Sequence, residues 1–302
     1  MDITNDTSRI IFANPCKPIS HIEYAERKNV THIVFDCVEE LMKIKTHYPK
    51  ANVILRLAVD DSKSICKFNS KFGCKIDDVH IILKTAQILE MNLIGFSFHV
   101  GSGCCDARSY YTAIENCRSA YNIATNQFNF NISVIDIGGG FTGIGKIVSF
   151  DDIVEQVNLA KEEFFGDVKE NIKFIAEPGR FFTEESQVLV VNVTSKKIEP
   201  GVIKYYLNDG AYGSFNCIHY DHQNPQITRL DYPEIDAVYA PTYNSTFFGP
   251  TCDSMDVIYK NVMYPELEIG EWLYVTNFGS YTNAPGATFN GFKTTDMRYV
   301  YF

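Results

Sequence analysis

Three short segments of this 302-residue chain carry groups able to do chemistry together: F-H-V-G-S-G-C (98–104), D-I-G-G-G-F (136–141) and A-E-P-G-R (176–180). Three consecutive glycines after a strand can turn several backbone N–H groups toward one point, and Gly179-Arg180 adds another N–H and a guanidinium able to grip phosphate bidentately. His99, Asp136 and Glu177 sit in the same three segments. Taken singly, a glycine triplet reads as a tight strand-to-helix turn, and a histidine or carboxylate at a strand end as a hydrogen-bonded core residue. Taken as a set, they combine anion-binding loops, a flat imidazole to stack on a ring and an acid to hold a heterocyclic nitrogen protonated. Pyridoxal phosphate needs that combination. The G-x-G-x-x-G spacing of a dinucleotide fold and the G-x-x-x-x-G-K-[ST] of a P-loop are both missing.

Further along lie Y-D-H at Tyr220 to His222, G-P-T-C-D-S-M-D at 249–256 and G-S-Y-T at 279–282. Cys252 follows Gly-Pro in a predicted loop beside Asp253. It reads either as a proton donor or nucleophile, or as a small buried apolar residue.

Elements that position these groups follow from hydrophobic periodicity. From residue 8 to about 180, short β-branched runs alternate with segments of helical period. Strands are predicted over Arg9 to Ala13, Thr31 to Phe35, Asn52 to Ala58, Leu93 to His99, Ile132 to Ile137 and Ile172 to Glu177. Helices are predicted over Ile19 to Lys28, Val38 to His47, Asp77 to Leu89 (Asp77 as its N-cap), Asp106 to Thr125 and Phe150 to Phe165. The rhythm dictates a parallel sheet, open or closed into a barrel, with working groups at the C-terminal strand ends. Six strands are found where a closed (β/α)₈ barrel needs eight. After residue 180 the pattern turns all-β, with strands predicted at Val188 to Val193, Lys204 to Asn208, Ile235 to Tyr239, Trp272 to Asn277 and Met297 to Phe302.

Composition narrows the class. With 45% hydrophobic and 21% charged residues the chain is an ordinary globular protein. A net charge of −10 without a basic run argues against nucleic acid or an anionic membrane as partner. No apolar run approaches the ~18 residues needed to span a bilayer, and no signal peptide opens the chain. Nine scattered cysteines suggest reduced thiols, a cytoplasmic setting and no zinc or other metal site.

The segments IIFANPCK (10–17), LRLAVDDS (55–62), SFHVGSGC (97–104), DIGGGF (136–141), IAEPGRFF (175–182), NDGAYGSFNCIHYDH (208–222), GPTCDSMD (249–256) and TFNGF (288–292) occur in an order that resembles the eukaryotic ornithine decarboxylases. These belong to the Orn/Lys/Arg/diaminopimelate decarboxylases, fold type III of the pyridoxal phosphate enzymes. The resemblance implies a (β/α)₈ barrel, here residues 1–183, followed by a β-sandwich-like domain, residues 184–302. It implies a cytoplasmic homodimer with shared active sites that decarboxylates L-ornithine to putrescine for polyamine biosynthesis. Carried over by position, His99 stacks on the pyridine ring and Glu177 pairs with its nitrogen. Ser102, Gly139, Gly140, Gly179, Arg180 and Tyr281 hold the phosphate, and Cys252 protonates the α-carbon from the partner subunit. Asp221 and Asp253 bind the distal ammonium in a pocket lined by Tyr220, and Lys71 and Asp256 bridge the dimer.

One departure matters. In the family the lysine bonded to the cofactor lies near the N-terminus in a Y-A-V-K-C-N-like strand, and nothing similar precedes Ile10. With six strands in place of eight, this predicts a form lacking the first two barrel strands. Two other readings stay open. One is a catalytically inactive homologue that binds antizyme, since Lys17 to Lys43 matches the docking region. The other is a heterodimer subunit that lends Cys252 and Asp253 to a full-length partner.

Overall fold

The structure, a computed structural model, describes residues 4, 6–145, 147–230 and 240–300. The chain divides into two compact units, Met1–Gly179 and Arg180–Phe302.

In the first unit, strands β1 (Ile11–Phe12), β2 (His32–Phe35), β3 (Asn52–Arg56), β5 (Asn92–Ser97), β7 (Val134–Asp136) and β8 (Lys173–Ile175) form one parallel sheet in the order β1-β2-β3-β5-β7-β8. A two-stranded pairing of β4 (Ser64–Cys66) with β6 (Ser102–Cys104) lies apart from it. Helices α1 (Ile19–Arg27), α2 (Val38–His47), α3 (Val79–Ile88), α4 (Arg108–Phe128) and α5 (Phe150–Phe165) fill the crossovers. The six strands and five helices of the sequence reading are all present, because a parallel strand buried on both faces must be a continuous apolar run. In β2 and β3, Ile33, Val34, Phe35, Val53, Ile54 and Leu55 are buried. Leu41, Ile44, Leu83, Ile114 and Ile153 are buried on the helices. Ile11 and Ala13 at one edge and Lys173 and Ile175 at the other line a single cavity of about 510 Å³, so the sheet curls on itself.

Local chemistry sets the helix ends. Ser149 and Asp152 form a capping box at α5, with Asp152 N–H donating to Ser149 Oγ (3.1 Å) and Ser149 N–H to Asp152 Oδ2 (2.9 Å). Asn129, at φ +57°, closes α4. The predicted Asp77 cap is displaced: a 3₁₀ turn over Ile76–Asp78 precedes α3, and Asp78 takes the cap position without a side-chain bond.

The second unit holds a mixed sheet in the order β11-β14-β9-β10-β12-β13. Its strands are β9 (Leu189–Glu199), β10 (Val202–Leu207), β11 (Thr228–Arg229), β12 (Thr242–Phe248), β13 (Val257–Pro265) and β14 (Trp272–Val275), with two short helices, α6 (Arg180–Thr183) and α7 (Cys217–Tyr220). Leu189, Val191 and Val193 alternate into a core with Tyr205, Leu207, Phe215, Phe247 and Leu273. Strands β12 and β13 escape the sequence reading. Register shifts interrupt their pairing, and Asn261, at φ +57°, breaks the alternation of β13. Residues 297–300 of the predicted last strand are not in a strand, and the predicted strand Ile235 to Tyr239 lies outside the described residues.

Edge strand β1 is held by a buried lysine. Lys17 Nζ donates to the carbonyls of Val34 (2.6 Å), Asn14 (3.0 Å) and Pro15 (3.1 Å) and pairs with Glu40 (3.0 Å), which also binds Lys43 (2.5 Å). Burial lowers the Lys17 pKa and Glu40 opposes the shift. Removing one partner of a buried ion pair strands the other charge. Glu40→Leu is expected to lower the unfolding free energy by about 3 kcal/mol in urea titrations; a loss under about 1 kcal/mol contradicts a structural role for the pair.

Candidate active site

Register decides what meets at the strand ends of the first unit. Arg56 of β3 pairs with Ser97 of β5, Ser97 with Asp136 of β7, and Asp136 with Ile175 of β8. In a parallel sheet residues at one level share a face, so Arg56, Ser97 and Asp136 form a polar row. Asp136, Ile175 and Glu177 line the cavity, which places the row on its inner side. Among the described residues, Arg56 Nε and Nη2, Ser97 Oγ and Asp136 Oδ2 are buried without a hydrogen-bond partner. Buried polar atoms are normally satisfied, and such a concentration marks a place built for something beyond packing.

Two loops meet above this row. The Gly138 N–H donates to Asp136 Oδ1 (2.9 Å) and the Glu177 N–H to the Gly138 carbonyl (2.7 Å), while the Tyr110 hydroxyl donates to the Gly139 carbonyl (2.9 Å). A Cβ on Gly139 would stand 2.8 Å from the Glu177 carbonyl oxygen and 3.0 Å from His99 Nε2. Gly140 adopts φ +100°, and a Cβ there would fall 2.3 Å from the Gly101 carbonyl oxygen. Among the described residues the N–H groups of Gly139 and Gly140 have no partner. Two adjacent free N–H groups are donors of the kind that hold an anion.

His99 borders Gly139. Its Nδ1 accepts the Gly101 N–H (3.0 Å) and Phe68 meets its ring edge-on at 4.9 Å between centroids. Burial first, and the Arg56 charge second, push its pKa down to about 4, so the imidazole is neutral at pH 7. Asp136 moves the other way, pushed up to about 8 by burial and then by the Glu177 charge. Ser102 is buried at the start of β6. Gly179 ends the unit.

Within the second unit, Arg180, Asp221 and Tyr281 come together. Arg180 Nη2 donates to Asp221 Oδ1 (2.5 Å), its guanidinium lies 4.9 Å from the Tyr281 ring, and Gln223 Nε2 donates to Asp221 Oδ2 (2.5 Å). Gln223, which the sequence reading passed over, also donates to the Ser280 carbonyl (3.0 Å) and so ties Asp221 to the G-S-Y-T loop. Tyr220 is 72% exposed and stands outside this network.

A second group forms around Asp253. Its Oδ1 accepts the Met255 N–H (2.9 Å) and its Oδ2 the Tyr212 hydroxyl; the Met255 N–H first and the Tyr212 hydroxyl second hold the carboxyl below its usual range. Phe289 stacks on Tyr212 at 4.5 Å, and the Cys252 N–H donates to Asn290 Oδ1 (2.9 Å). The T-F-N-G-F segment was the available signal for these two partners. Cys252 itself is exposed. Asp256 is buried and accepts from Ala211 N–H (2.7 Å), Thr251 N–H (3.0 Å) and Thr251 Oγ1 (2.7 Å). Lys71 lies over the Phe72 ring at 5.0 Å. Among the described residues no cluster of three His, Cys, Asp or Glu side chains could hold a metal, and no helix is long and apolar enough to cross a membrane.

The sequence model of a family described as "Pyridoxal-dependent decarboxylase, pyridoxal binding domain" matches residues 1–184. Ornithine decarboxylase of Mus musculus is 39% identical over 97% of this chain and 66% of its own length. Antizyme inhibitor 2 of Xenopus laevis is 40% identical over 99% of this chain and 67% of its own length. The arginine decarboxylase of Paramecium bursaria Chlorella virus superposes with a TM-score of 0.89 at 35% identity, covering 97% of this chain and 78% of its own. The chain thus spans about two thirds of the length of such curated relatives.

The depressed pKa of His99 has a consequence for stability. Between about pH 4 and 6.5 the unfolded imidazole takes a proton that the folded one refuses. The contribution of His99 is therefore complete above about pH 6.5 and declines as pH falls toward 4. Urea midpoints at pH 7 and pH 5 should differ less in His99→Gln than in the native sequence; equal differences contradict a neutral buried imidazole.

Proposed function

The chain belongs to the pyridoxal-dependent decarboxylases, and from that premise we propose that it binds pyridoxal phosphate at the strand ends of its first unit and acts in decarboxylating L-ornithine. The observation that carries the proposal is the pair of free N–H groups at Gly139 and Gly140 beside neutral His99 and the acids Asp136 and Glu177.

These residues fit the cofactor on chemical grounds. Gly139 and Gly140 would hold the phosphate through their N–H groups, with the Ser102 hydroxyl and Gly179 as further phosphate ligands. His99, neutral and flat, would lie against the ring, and the Glu177 carboxylate would accept a hydrogen bond from the protonated ring nitrogen. Bound in this way, pyridoxal phosphate supplies an electron sink for the bonding pair left when the α-carboxyl departs as CO₂. The chain's own side chains then govern protons and orientation. Glu177 keeps the nitrogen proton in place by charge-assisted hydrogen bonding. The Cys252 thiol, reaching the site of a partner subunit, would give its proton to the α-carbon where the carboxyl left and recover one from solvent.

Substrate choice is assigned to the second unit's carboxylates. Asp221 and Asp253 would bind the distal ammonium of ornithine, with Tyr220 lining their pocket. The Tyr212 hydroxyl and the Met255 N–H hold Asp253 ionised and fixed, which suits a cationic substrate end. Asp221 is bonded to Arg180 and Gln223, so an ammonium would share it with a guanidinium already in place. We assign the chain to a cytoplasmic homodimer with Lys71 and Asp256 at the interface. A regulatory role through antizyme binding, the second reading, is favoured by the similarity to an antizyme inhibitor.

Protein carrying this chain together with a cofactor-bonding lysine segment, supplied with pyridoxal phosphate, should release CO₂ from carboxyl-labelled ornithine faster than from arginine or lysine. Cys252→Ala should lower kcat by about 10²-fold or more, and Asp253→Ala should act mainly on KM for ornithine. Cofactor binding without CO₂ release, accompanied by antizyme binding, overturns the enzymatic reading in favour of the regulatory one. No cofactor binding overturns both the cradle and the enzymatic reading.

A further inference from the structure

The row at the strand ends contains an acid that the proposed chemistry leaves without a task. Asp136 is 1% exposed, whereas Glu177, which reaches the same cavity, is exposed. The side chains are close enough to hydrogen-bond to each other once one of them carries a proton. With both ionised, Asp136 Oδ2 has no donor and faces a second negative charge, an arrangement that two carboxylates sharing a site avoid. We propose that Asp136 is a positioning residue: it donates a hydroxyl hydrogen bond from Oδ2 to the Glu177 carboxylate, fixing that carboxylate and aiming it at the ring nitrogen of the cofactor. The inference deepens the proposed function and rests on it where the cofactor is concerned.

Burial decides which acid holds the proton. Taking a carboxylate out of water favours its neutral form, so the buried Asp136 retains the proton. The groups facing Asp136 agree. The Gly138 N–H and the Arg56 charge on β3 favour ionisation, yet both are outweighed by burial and by Glu177 after β8. Cys117 approaches from α4 as a fully buried thiol whose pKa is pushed up by burial, so it adds no counter-charge. Arg56 lies two strands away in register, with Ser97 between, and makes no hydrogen bond to Asp136 among the described residues. The orphaned Oδ2 thereby gains an acceptor. An Oδ1 that takes the Gly138 N–H and an Oδ2 that donates across the β7–β8 gap also tie the glycine loop to the acid that reads the ring.

A role confined to capping the Gly138 turn predicts different behaviour, and the proton separates the two. Carboxyl ¹³C shifts of Asp-labelled protein without cofactor should show one aspartate still protonated at pH 7 and titrating near pH 8. That signal should vanish in Asp136→Asn and move to lower pH in Glu177→Gln. In fluorescence titrations with pyridoxal phosphate, Asp136→Leu should weaken binding about tenfold or more. Asp136→Asn, whose amide both accepts from Gly138 and donates to Glu177, should recover most of the loss, whereas a turn cap alone needs no donor. The proposal is overturned if no protonated aspartate is present at pH 7, or if Asp136→Asn weakens the cofactor as much as Asp136→Leu. Thermal unfolding of each variant shows whether it folds. Should the native protein not bind pyridoxal phosphate at all, the functional reading fails, while the carboxyl titration still decides the proton's location.

Discussion

The register of the parallel sheet is the constraint on which the rest of the first unit depends. Because β3, β5 and β7 pair with Arg56, Ser97 and Asp136 at one level, three polar side chains are forced into a single row on the inner face. A slip of one residue would turn all three to the opposite face and bury apolar groups at the cavity. Backbone crowding above the row follows from the same alignment, since the loops after β5, β7 and β8 leave the sheet side by side and only glycine fits where they touch.

Electrostatics builds on this geometry. One buried environment drives His99 and Asp136 to their neutral forms from opposite directions, the base by losing affinity for a proton and the acid by gaining it. The second unit works differently. Asp253 and Glu199 are half-buried, and their carboxyls lie below the ordinary range through direct hydrogen bonds, Asp253 from the Met255 N–H and Tyr212 and Glu199 from Lys197 and Lys204. The two units thus carry two kinds of polar site: one where desolvation removes charge, suited to a neutral ring, and one where hydrogen bonds preserve it, suited to a cationic ligand.

Much of this was legible in the residues. The β/α rhythm gave the six parallel strands and their helices because doubly buried strands are continuous apolar runs and the helices between them are amphipathic. G-G-G and the polar residues ending each strand announced the anion loops, since few other patterns place so many N–H donors at one point. The less legible parts share a cause. Strands β12 and β13 are bulged and partly exposed, so their alternation is broken. Gln223, Tyr212 and Phe289 act through contacts across 41 to 77 residues of chain, and no local pattern encodes such partners. The proton on Asp136 depends on burial relative to Glu177, which only the fold supplies.

The central claim is that Gly139 and Gly140 form a phosphate nest. With only 19 glycines in the chain, selective ¹⁵N-glycine labelling makes the two amides observable. The most direct measurement is to follow them while titrating pyridoxal phosphate and, separately, pyridoxal without its phosphate. The Gly139 and Gly140 resonances should shift strongly with pyridoxal phosphate and little with pyridoxal. If both amides stay in place while pyridoxal phosphate binds elsewhere, or if nothing binds, the nest is a tight turn and the cradle assigned to the first unit is wrong.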